Sequence, residues 1–318
     1  MRRFEVKEEF DFYNSTTIKS YNLDESIRYQ LKTLDGLDAY TRKHTENVAN
    51  ITCRLCDLLR MDKGFTLYCT TCAYLHDIGK IFIPPSVLQK PSKLTEEEYE
   101  IMKTHTTIGY KICMNDLKLR PYAAGALYHH EGLDGSGYPH KLQEKDIPYE
   151  AQIIRVADEF EAITAKRQYK SHVGVVDALN IIIDHAQPSI PPDLKTGLKR
   201  MFTHNVGKVD KNIVKALFKV IIDDTEYEIV ARSDYIDFVR DEIKRITEAQ
   251  RYYFKMQSAL TQSRREYYKE EIKCYLKPHE EAEKIPDMLK EFEATYKARQ
   301  DHIMKLHHEV KQIKKLTV

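Results

Sequence analysis

The sequence predicts an all-α protein in which a compact helical domain is followed by long C-terminal helices. Apolar residues recur at the three- and four-residue spacing of a buried helix face, and the alternation that is typical of strands is almost absent. After about residue 233 the apolar residues recur every seven positions between charged residues, which is the pattern of a coiled coil. With 318 residues, the chain has the length of about two domains.

Helix-end signals place the elements of the first domain. Thr95, with Glu98 three residues later, has the form of a capping box, so a helix is expected to begin there and run to about Met114. Three glycines and Pro139 between residues 131 and 139 exclude a regular element and predict a loop. The other predicted helices cover residues 38–60, 65–79, 121–131, 148 onward and 171–187.

The domain boundaries follow from the change of pattern. We assign residues 1–30 to a segment of unclear role, residues 31–232 to the compact domain and residues 233–318 to the long helical region. Lys277-Pro278 separates two apolar seams, so an antiparallel coiled-coil hairpin is expected. Two amphipathic helices packed on the first domain are the alternative. The first seam contains Val239, Ile246, Tyr253, Leu260, Tyr267 and Cys274.

Charge and hydropathy exclude several classes of partner. The net charge of +1 is unlike the one-signed excess of a general nucleic-acid or acidic-membrane binder, so an anionic substrate has to be met by local cations. The sequence contains no run that approaches the roughly 20 apolar residues of a membrane span. The basic start Met1-Arg2-Arg3 also lacks the apolar stretch of a signal peptide. We therefore expect a soluble, cytoplasmic protein.

Two Cys-x-x-Cys pairs imitate the spacing of a zinc ribbon. Cys53 and Cys56, and then Cys69 and Cys72, lie in apolar helical patterns, where positions i and i+3 share one face. A cysteine on such a face behaves as a small hydrophobic residue. Core packing is therefore favoured, and a structural zinc site is the alternative.

Histidines and aspartates of the first domain form a pattern of metal ligands. His76 and Asp77 stand at the end of a predicted helix, and the Asp77 carboxylate can bridge two metals about 3.5–4 Å apart. A hydroxide between the metals would attack phosphorus, and Lys80 would neutralise a phosphate oxygen. These ligand types hold Fe, Mn or Zn, which predicts a metal-dependent phosphodiesterase. The predicted metal ligands are His44, His76, Asp77, His105, His129, His130 and Asp158.

The order of these ligands along the chain, His, His-Asp and Asp, resembles that of the HD phosphohydrolase superfamily. The added pair His129-His130 and the loop Asp134-Gly-Ser-Gly-Tyr-Pro139 resemble its HD-GYP branch of cyclic di-GMP phosphodiesterases, over about residues 31–187. The resemblance implies an all-helical fold, a site with two or three Fe or Mn ions, and hydrolysis of cyclic di-GMP to linear pGpG or to GMP. It also implies substrate contacts by Lys80, Tyr138, Arg167 and Lys170.

Four positions in three segments depart from the family pattern. Tyr40 stands one turn before His44, where many members with three metals have a glutamate, and a phenol is a poor ligand at neutral pH. The segment after the last aspartate reads Glu161-Ala-Ile-Thr164 instead of Asp-Ala-Leu-Thr, and Arg167-Gln-Tyr169 stands in place of Arg-Pro-Tyr. We therefore predict two divalent metals per chain, Fe or Mn. The resemblance to the family alone implies a reaction that ends at the linear dinucleotide.

Two other functions stay open at this point. One is a cyclic-dinucleotide receptor that signals through the coiled coil, and the other is hydrolysis of another cyclic nucleotide or phosphoester. The intact set of ligands favours the cyclic di-GMP phosphodiesterase. Polar residues in the later part of the first seam suit a limited pairing, so we expect a homodimer or a protein partner bound through residues 233–318.

Overall fold

The computed structural model of the protein describes residues 39–165, 173–188 and 206–317. Within these ranges the regular elements are helices, and a single β-bridge joins Asp134 to Gln143. The predicted all-α class is confirmed. The α-helices are α1 (Ala39–Leu58), α2 (Lys63–Leu75), α3 (Pro85–Leu88), α4 (Glu96–Lys103), α5 (His105–Asn115), α6 (Ala123–Tyr128), α7 (Tyr149–Thr164), α8 (Val175–Ala186), α9 (Lys211–Gln257), α10 (Gln262–Lys273) and α11 (Ile285–Ile313). Short 3₁₀ helices cover Ile78–Phe82, Arg120–Tyr122, Glu144–Asp146 and Ala282–Lys284.

The chain divides into two compact units. The first extends to Ile222 and includes the last residues from Ile313, and the second comprises Asp223–Gln312. The functional division made from the sequence, with its boundary at residue 233, stays a prediction, and residues 1–30 lie outside the described ranges. Among the described residues, no helix is both long and apolar enough to cross a membrane.

The core of the first unit positions the helices that carry the candidate site. α1 packs against α2 and α7, and α8 packs against α7. Burial of a large apolar side chain stabilises a fold by roughly 1.5–3 kcal/mol. Packing on these apolar faces therefore fixes the segments that carry the predicted ligands. The main cluster of buried side chains includes Val48, Leu55, Phe160, Leu179 and Ile213.

The Cys-x-x-Cys pairs belong to the interior of this unit. Cys53, Cys56, Cys69 and Cys72 are fully buried, and the last three lie in the main apolar cluster. Among the described residues, the side-chain groups with the spacing of a metal site consist of histidine and aspartate. The structure therefore agrees with core packing rather than with a zinc ribbon.

The predicted helix from residue 95 to 114 is divided. The capping box of Thr95 and Glu98 is confirmed, but α4 ends at Lys103. The Thr104 hydroxyl donates to the Ile101 carbonyl at 2.6 Å, in competition with the helical hydrogen bonds. A second helix, α5, begins immediately afterwards.

The predicted helix over residues 65–79 changes type before its end. α2 stops at Leu75, and Ile78–Phe82 forms a 3₁₀ helix. A β-carbon on Gly79 would lie 1.9 Å from the carbonyl oxygen of His105, so only glycine permits this close approach. The approach holds Asp77 beside the first residue of α5.

The second unit consists of long helices, as predicted. Its apolar core contains Ile246 and Ala249 from α9, Ile272 from α10 and Ile285 from α11. Residues of the first seam up to Ile246 thus lie on a buried face. The heptad pattern identified the apolar side of α9 correctly.

The later part of the first seam is interrupted. α9 ends at Gln257, and Thr261 caps the start of α10 with its hydroxyl. Leu260, between the two helices, is 96% exposed. The Ser258 hydroxyl donates to the Phe254 carbonyl at 3.0 Å just past the last turn of α9. The heptad pattern did not show this helix end.

Candidate metal centre

The predicted metal ligands converge in the first unit from five helices. They lie at helix ends or on helix faces, and all are buried except His130, which is partly exposed. Side chains that are far apart in the sequence therefore face one small volume. They are His44 on α1, His76 and Asp77 at the end of α2, His105 at the start of α5, His129 and His130 at the end of α6, and Asp158 on α7.

One group forms around the Oδ2 atom of Asp77. The Nε2 atoms of His44 and His76 lie 3.4 and 3.2 Å from this oxygen. The same two nitrogens lie 3.2 and 3.9 Å from Oδ1 of Asp158. His44, His76 and Asp77 offer ligand atoms within 4.8 Å of one another, which is the spacing of a metal site.

A second group forms around the Oδ1 atom of Asp77. The Nε2 atoms of His105 and His129 lie 3.5 and 3.9 Å from this oxygen and 3.2 Å from each other. His130 completes the group, and its Nδ1 lies 4.0 Å from Oδ2 of Asp158. Each aspartate therefore presents one oxygen to each group of histidines.

Backbone carbonyls orient three of the imidazole rings. Nδ1 of His76 lies 2.6 Å from the Ala73 carbonyl, Nδ1 of His105 lies 2.7 Å from the Met102 carbonyl, and Nδ1 of His129 lies 3.0 Å from the Gly125 carbonyl. A carbonyl oxygen can only accept, so Nδ1 carries the proton in each ring. In the metal-binding form of each ring, Nε2 then directs its lone pair into the site.

Glu161 was not among the predicted ligands but orients one of them. Its carboxylate contacts Nδ1 of His44 and accepts a hydrogen bond from Asn47 Nδ2 at 3.0 Å. A carboxylate behind a metal-binding histidine is a common supporting contact. The sequence contained a signal for it, because Glu161 follows Asp158 by three residues and so shares its face of α7.

Burial sets the protonation state of three imidazoles. It lowers the pKa of His105 to about 4. It also lowers the pKa of His129 and of His130 well below the usual value. These rings are therefore neutral near pH 7, which is the form that binds a metal.

The carboxylates favour the ionised form despite their burial. Burial alone would raise the pKa of Asp77, but the neighbouring His76 and Lys80 lower it well below its usual range. Burial also opposes ionisation of Asp158, but a hydrogen bond from His44 and the nearby rings of His44, His130 and His76 together lower its pKa well below the usual range. For His44, burial acts in the opposite direction and would lower the pKa, but contacts with Asp158, Asp77 and Glu161 raise it well above its usual value. The site thus attracts positive charge, which a divalent cation supplies.

Two atoms of the site test whether a metal fits. His76 Nε2 and Asp77 Oδ1 are buried and have no hydrogen-bond partner among the described residues. Leaving such atoms unpartnered costs on the order of 1–3 kcal/mol each. A divalent cation would satisfy both. Imidazole nitrogens and carboxylate oxygens suit Fe, Mn or Zn, so the residues present fit the predicted metal site.

The predicted substrate contacts are only partly within the described residues. The Lys80 ammonium contacts Asp77 at the edge of the site, and the Tyr138 ring stacks on His130 with centroids 4.7 Å apart. Arg167 and Lys170 lie outside the described residues. Tyr40 lies on α1, one turn before His44.

Comparison with known proteins identifies the family in which this set of ligands occurs. Residues 7–194 match the family described as HD domain. The chain belongs to the HD-domain family. This membership confirms the superfamily predicted from the order of the histidine and aspartate ligands.

Three curated relatives are similar to part of the chain. A cyclic di-GMP phosphodiesterase of Thermotoga maritima is 46% identical over 147 residues, which cover 46% of this chain and 40% of the relative. The cyclic di-GMP phosphodiesterase response regulator RpfG of Xanthomonas campestris is 38% identical, with coverages of 46% and 39%. The 3'3'-cGAMP-specific phosphodiesterase 3 of Vibrio cholerae is 32% identical, with coverages of 53% and 37%. The similarity thus spans less than half the length of each relative.

Proposed function

We propose that the chain is a metal-dependent phosphodiesterase that hydrolyses cyclic di-GMP to linear pGpG. Two of the relatives are named as cyclic di-GMP phosphodiesterases. The two groups of histidine and aspartate ligands supply donors for the divalent metals that such hydrolysis uses. Two ions of Fe or Mn per chain are the proposed cofactors.

The position of Asp77 is the observation that carries this proposal. Its Oδ1 faces His105 and His129, and its Oδ2 faces His44 and His76, at distances between 3.2 and 3.9 Å. Two imidazole pairs on the two oxygens of one carboxylate is the arrangement expected of a ligand that bridges two metals. We therefore assign the bridging role to Asp77.

The surrounding side chains have separate roles in the proposed reaction. Bound divalent ions would supply an activated water and stabilise charge on the phosphate oxygens. Lys80, whose side chain is 21% exposed, can reach from Asp77 to a phosphate oxygen. Tyr138 borders the second group of ligands through its contact with His130. Arg167 and Lys170 are proposed as phosphate or guanine contacts on the family resemblance alone.

A different cyclic dinucleotide is the second candidate substrate. One relative is named as specific for 3'3'-cGAMP, and the proposed metal chemistry acts on the phosphodiester that all cyclic dinucleotides share. A receptor that binds the dinucleotide without hydrolysing it is less favoured. Binding alone does not require a set of buried metal-ligand atoms around Asp77.

Turnover by the full-length, Mn- or Fe-loaded protein tests the proposal. We expect conversion of cyclic di-GMP to pGpG, loss of activity on chelation, and little further conversion to GMP. Turnover of cGAMP without turnover of cyclic di-GMP would identify cGAMP, rather than cyclic di-GMP, as the substrate. Tight binding of a cyclic dinucleotide without turnover would favour the receptor.

Asp77→Ala tests the bridging role. Because a bridging ligand belongs to both ions, we expect this variant to lose bound metal and activity together. Elemental analysis and the turnover assay measure the two losses. Asp57→Ala changes an exposed aspartate on α1 and should keep both properties. Full metal content and full turnover in Asp77→Ala would contradict the proposal.

We further propose that residues 233–318 join two copies of the chain. Two residues of the predicted seam, Leu260 and Tyr267, are 96% and 57% exposed, and exposed apolar surface is typical of an interaction site. Light scattering should show a dimer that Leu260→Gln weakens. Met304→Gln, at a residue that is 62% exposed on α11, is the matched control. A monomeric wild-type protein would contradict the proposal.

A further inference from the structure

Tyr99 and Lys103 form a surface on α4 that the proposed reaction does not yet use. They are four residues apart and therefore lie on one face of the helix. No residue of α4 is buried, although a capping box fixes the start of the helix. The helix thus contributes little to the core, and its side chains are available for contacts at the surface.

A series of ring contacts joins this surface to the candidate metal centre. His130, one of the proposed ligands, stacks on Tyr138 at 4.7 Å. Tyr138 in turn meets the Tyr99 ring edge-on at 6.4 Å. The Lys103 ammonium lies 5.2 Å from the centroid of Tyr99 and 5.8 Å from that of Tyr138. Tyr99 and Lys103 are therefore one aromatic ring removed from a proposed metal ligand.

Both side chains are accessible to a ligand. Tyr99 is 48% exposed, and the Lys103 side chain is 25% exposed. Lys103 pairs with Glu100, whose side chain is 65% exposed. Glu100 is the exposed member of this pair, so it can turn away and leave the Lys103 ammonium to a ligand.

An exposed aromatic ring beside a cation has the chemistry of a nucleobase site. A tyrosine ring can stack on any base, because every base has a π-face. A lysine ammonium adds discrimination. Guanine offers two acceptors, O6 and N7, on one edge, whereas adenine offers N7 beside an amino donor.

We propose that Tyr99 and Lys103 form a base-binding subsite that selects guanine over adenine. The subsite rests on the proposed function, because a phosphodiester at the metal groups is what brings an attached base within reach of α4. Tyr99 stacks on the base, and Lys103 donates to O6 and N7 of guanine. With adenine, the amino group at position 6 faces the ammonium and no second acceptor is present.

Affinities of the full-length, metal-loaded protein test the subsite. The probes are phosphorothioate analogues of cyclic di-GMP and cyclic di-AMP, which are hydrolysed slowly, and calorimetric titration measures the two dissociation constants. The wild-type protein should prefer the guanine analogue. Lys103→Met should lower the ratio of guanine to adenine affinity about tenfold, as expected for the loss of one specific base contact.

Two further variants separate the roles of the two residues. Lys103→Arg should retain the preference for guanine, because a guanidinium also donates to O6 and N7. Tyr99→Leu should weaken binding of both analogues by a similar factor, because stacking does not distinguish the bases. Lys111→Met, at an exposed lysine of α5, and Tyr227→Leu, at a tyrosine that is 68% exposed, are the matched controls and should keep both affinities.

Specific outcomes overturn the subsite. A wild-type affinity ratio in Lys103→Met does so, and so does an equal loss of affinity for both analogues, which would give Lys103 a structural role only. Failure of the proposed function gives a different result. The wild-type protein would then leave every cyclic dinucleotide intact while it still hydrolyses the base-free diester bis(p-nitrophenyl) phosphate.

Discussion

The two units bury charged side chains in opposite ways. In the second unit, Arg245 donates to the two oxygens of Glu280 at 2.7 and 2.8 Å and to Glu242 at 2.6 Å. In the first unit, ligand atoms of like function face one another, and His76 Nε2 and Asp77 Oδ1 have no hydrogen-bond partner among the described residues. In the second unit, an arginine neutralises two glutamates. In the first unit, the histidine nitrogens gather around the carboxylate of Asp77.

This difference distinguishes buried charged side chains that find partners within the chain from buried side chains that need a bound ligand. A buried acid with an arginine partner satisfies its charge within the chain. Buried polar atoms without a partner are uncommon in folded proteins, and each one needs a cause. Nε of Arg245 is also such an atom, but as an N–H donor it cannot bind a cation. At Asp77 the cause that fits the donor types is a divalent cation. The tests below alter one network at a time.

Metal addition should have the largest effect, and only where the donors are intact. At a free Mn²⁺ concentration of 1,000 times its Kd, an ion that binds only the folded chain stabilises it by about 4.1 kcal/mol. His129→Ala removes a proposed ligand and should lose most of this stabilisation at the same Mn²⁺ concentration. Thermal unfolding with and without Mn²⁺ measures the change.

His308→Ala is the control for this experiment, because His308 is an exposed histidine on α11. It should keep the full effect of Mn²⁺. If His129→Ala and the wild-type protein were stabilised equally, the ion would bind elsewhere and the contrast between the two networks would fail.

Arg245→Met should have the next largest effect, in the second unit. It leaves Glu280, whose side chain is 7% exposed, without its charged donor. The loss of such charged hydrogen bonds should lower the free energy of unfolding by about 1.5–3 kcal/mol, as measured by urea denaturation. Arg251→Met removes an exposed pair with Glu248 at 3.7 Å and should cost less than about 1 kcal/mol. An equal loss of unfolding free energy in Arg245→Met and Arg251→Met would show that the contacts of Arg245 with Glu280 and Glu242 do not stabilise the second unit.

The same network predicts how stability changes with pH. The hydrogen bond from Arg245 lowers the pKa of Glu280 below its usual value. Because the folded pKa lies below the unfolded value of about 4.3, the stabilisation is present above that pH and is lost as the pH falls through the folded pKa. Urea unfolding at decreasing pH should show this loss in the wild-type protein and less of it in Arg245→Met.

Residue type and helical spacing predicted most of the fold class and the candidate ligands. His76-Asp77 and His129-His130 were recognisable because few structural needs place these residue types together at helix ends. The apolar face of α9 was visible for the same reason, since buried positions repeat regularly. Such features depend on local sequence alone.

Features that depend on competition or on packing were not predicted. The helix ends near Thr104 and Ser258 were missed, because the periodicity of apolar residues does not reveal where the backbone hydrogen bonds of a helix stop. The role of Glu161 requires the packing of α7 against α1, which places its carboxylate behind His44. Tyr99 and Lys103 belong to a surface helix, and the spacing of residues along that helix does not show that the Tyr138 ring lies next to them.

Glu161→Gln tests whether the first unit also uses charge to orient a ligand. Glutamine keeps the size of the side chain but removes the charge that faces His44 Nδ1, and changes to such supporting carboxylates weaken metal binding by about 10- to 100-fold. Mn²⁺ titration measures the affinity, and thermal unfolding without metal measures the fold. Glu46→Gln, at an exposed pair with Arg42 on α1, should change neither. Weaker Mn²⁺ binding with unchanged metal-free stability would assign Glu161 to the orientation of His44, whereas an equal loss of both would place it in the packing between α1 and α7.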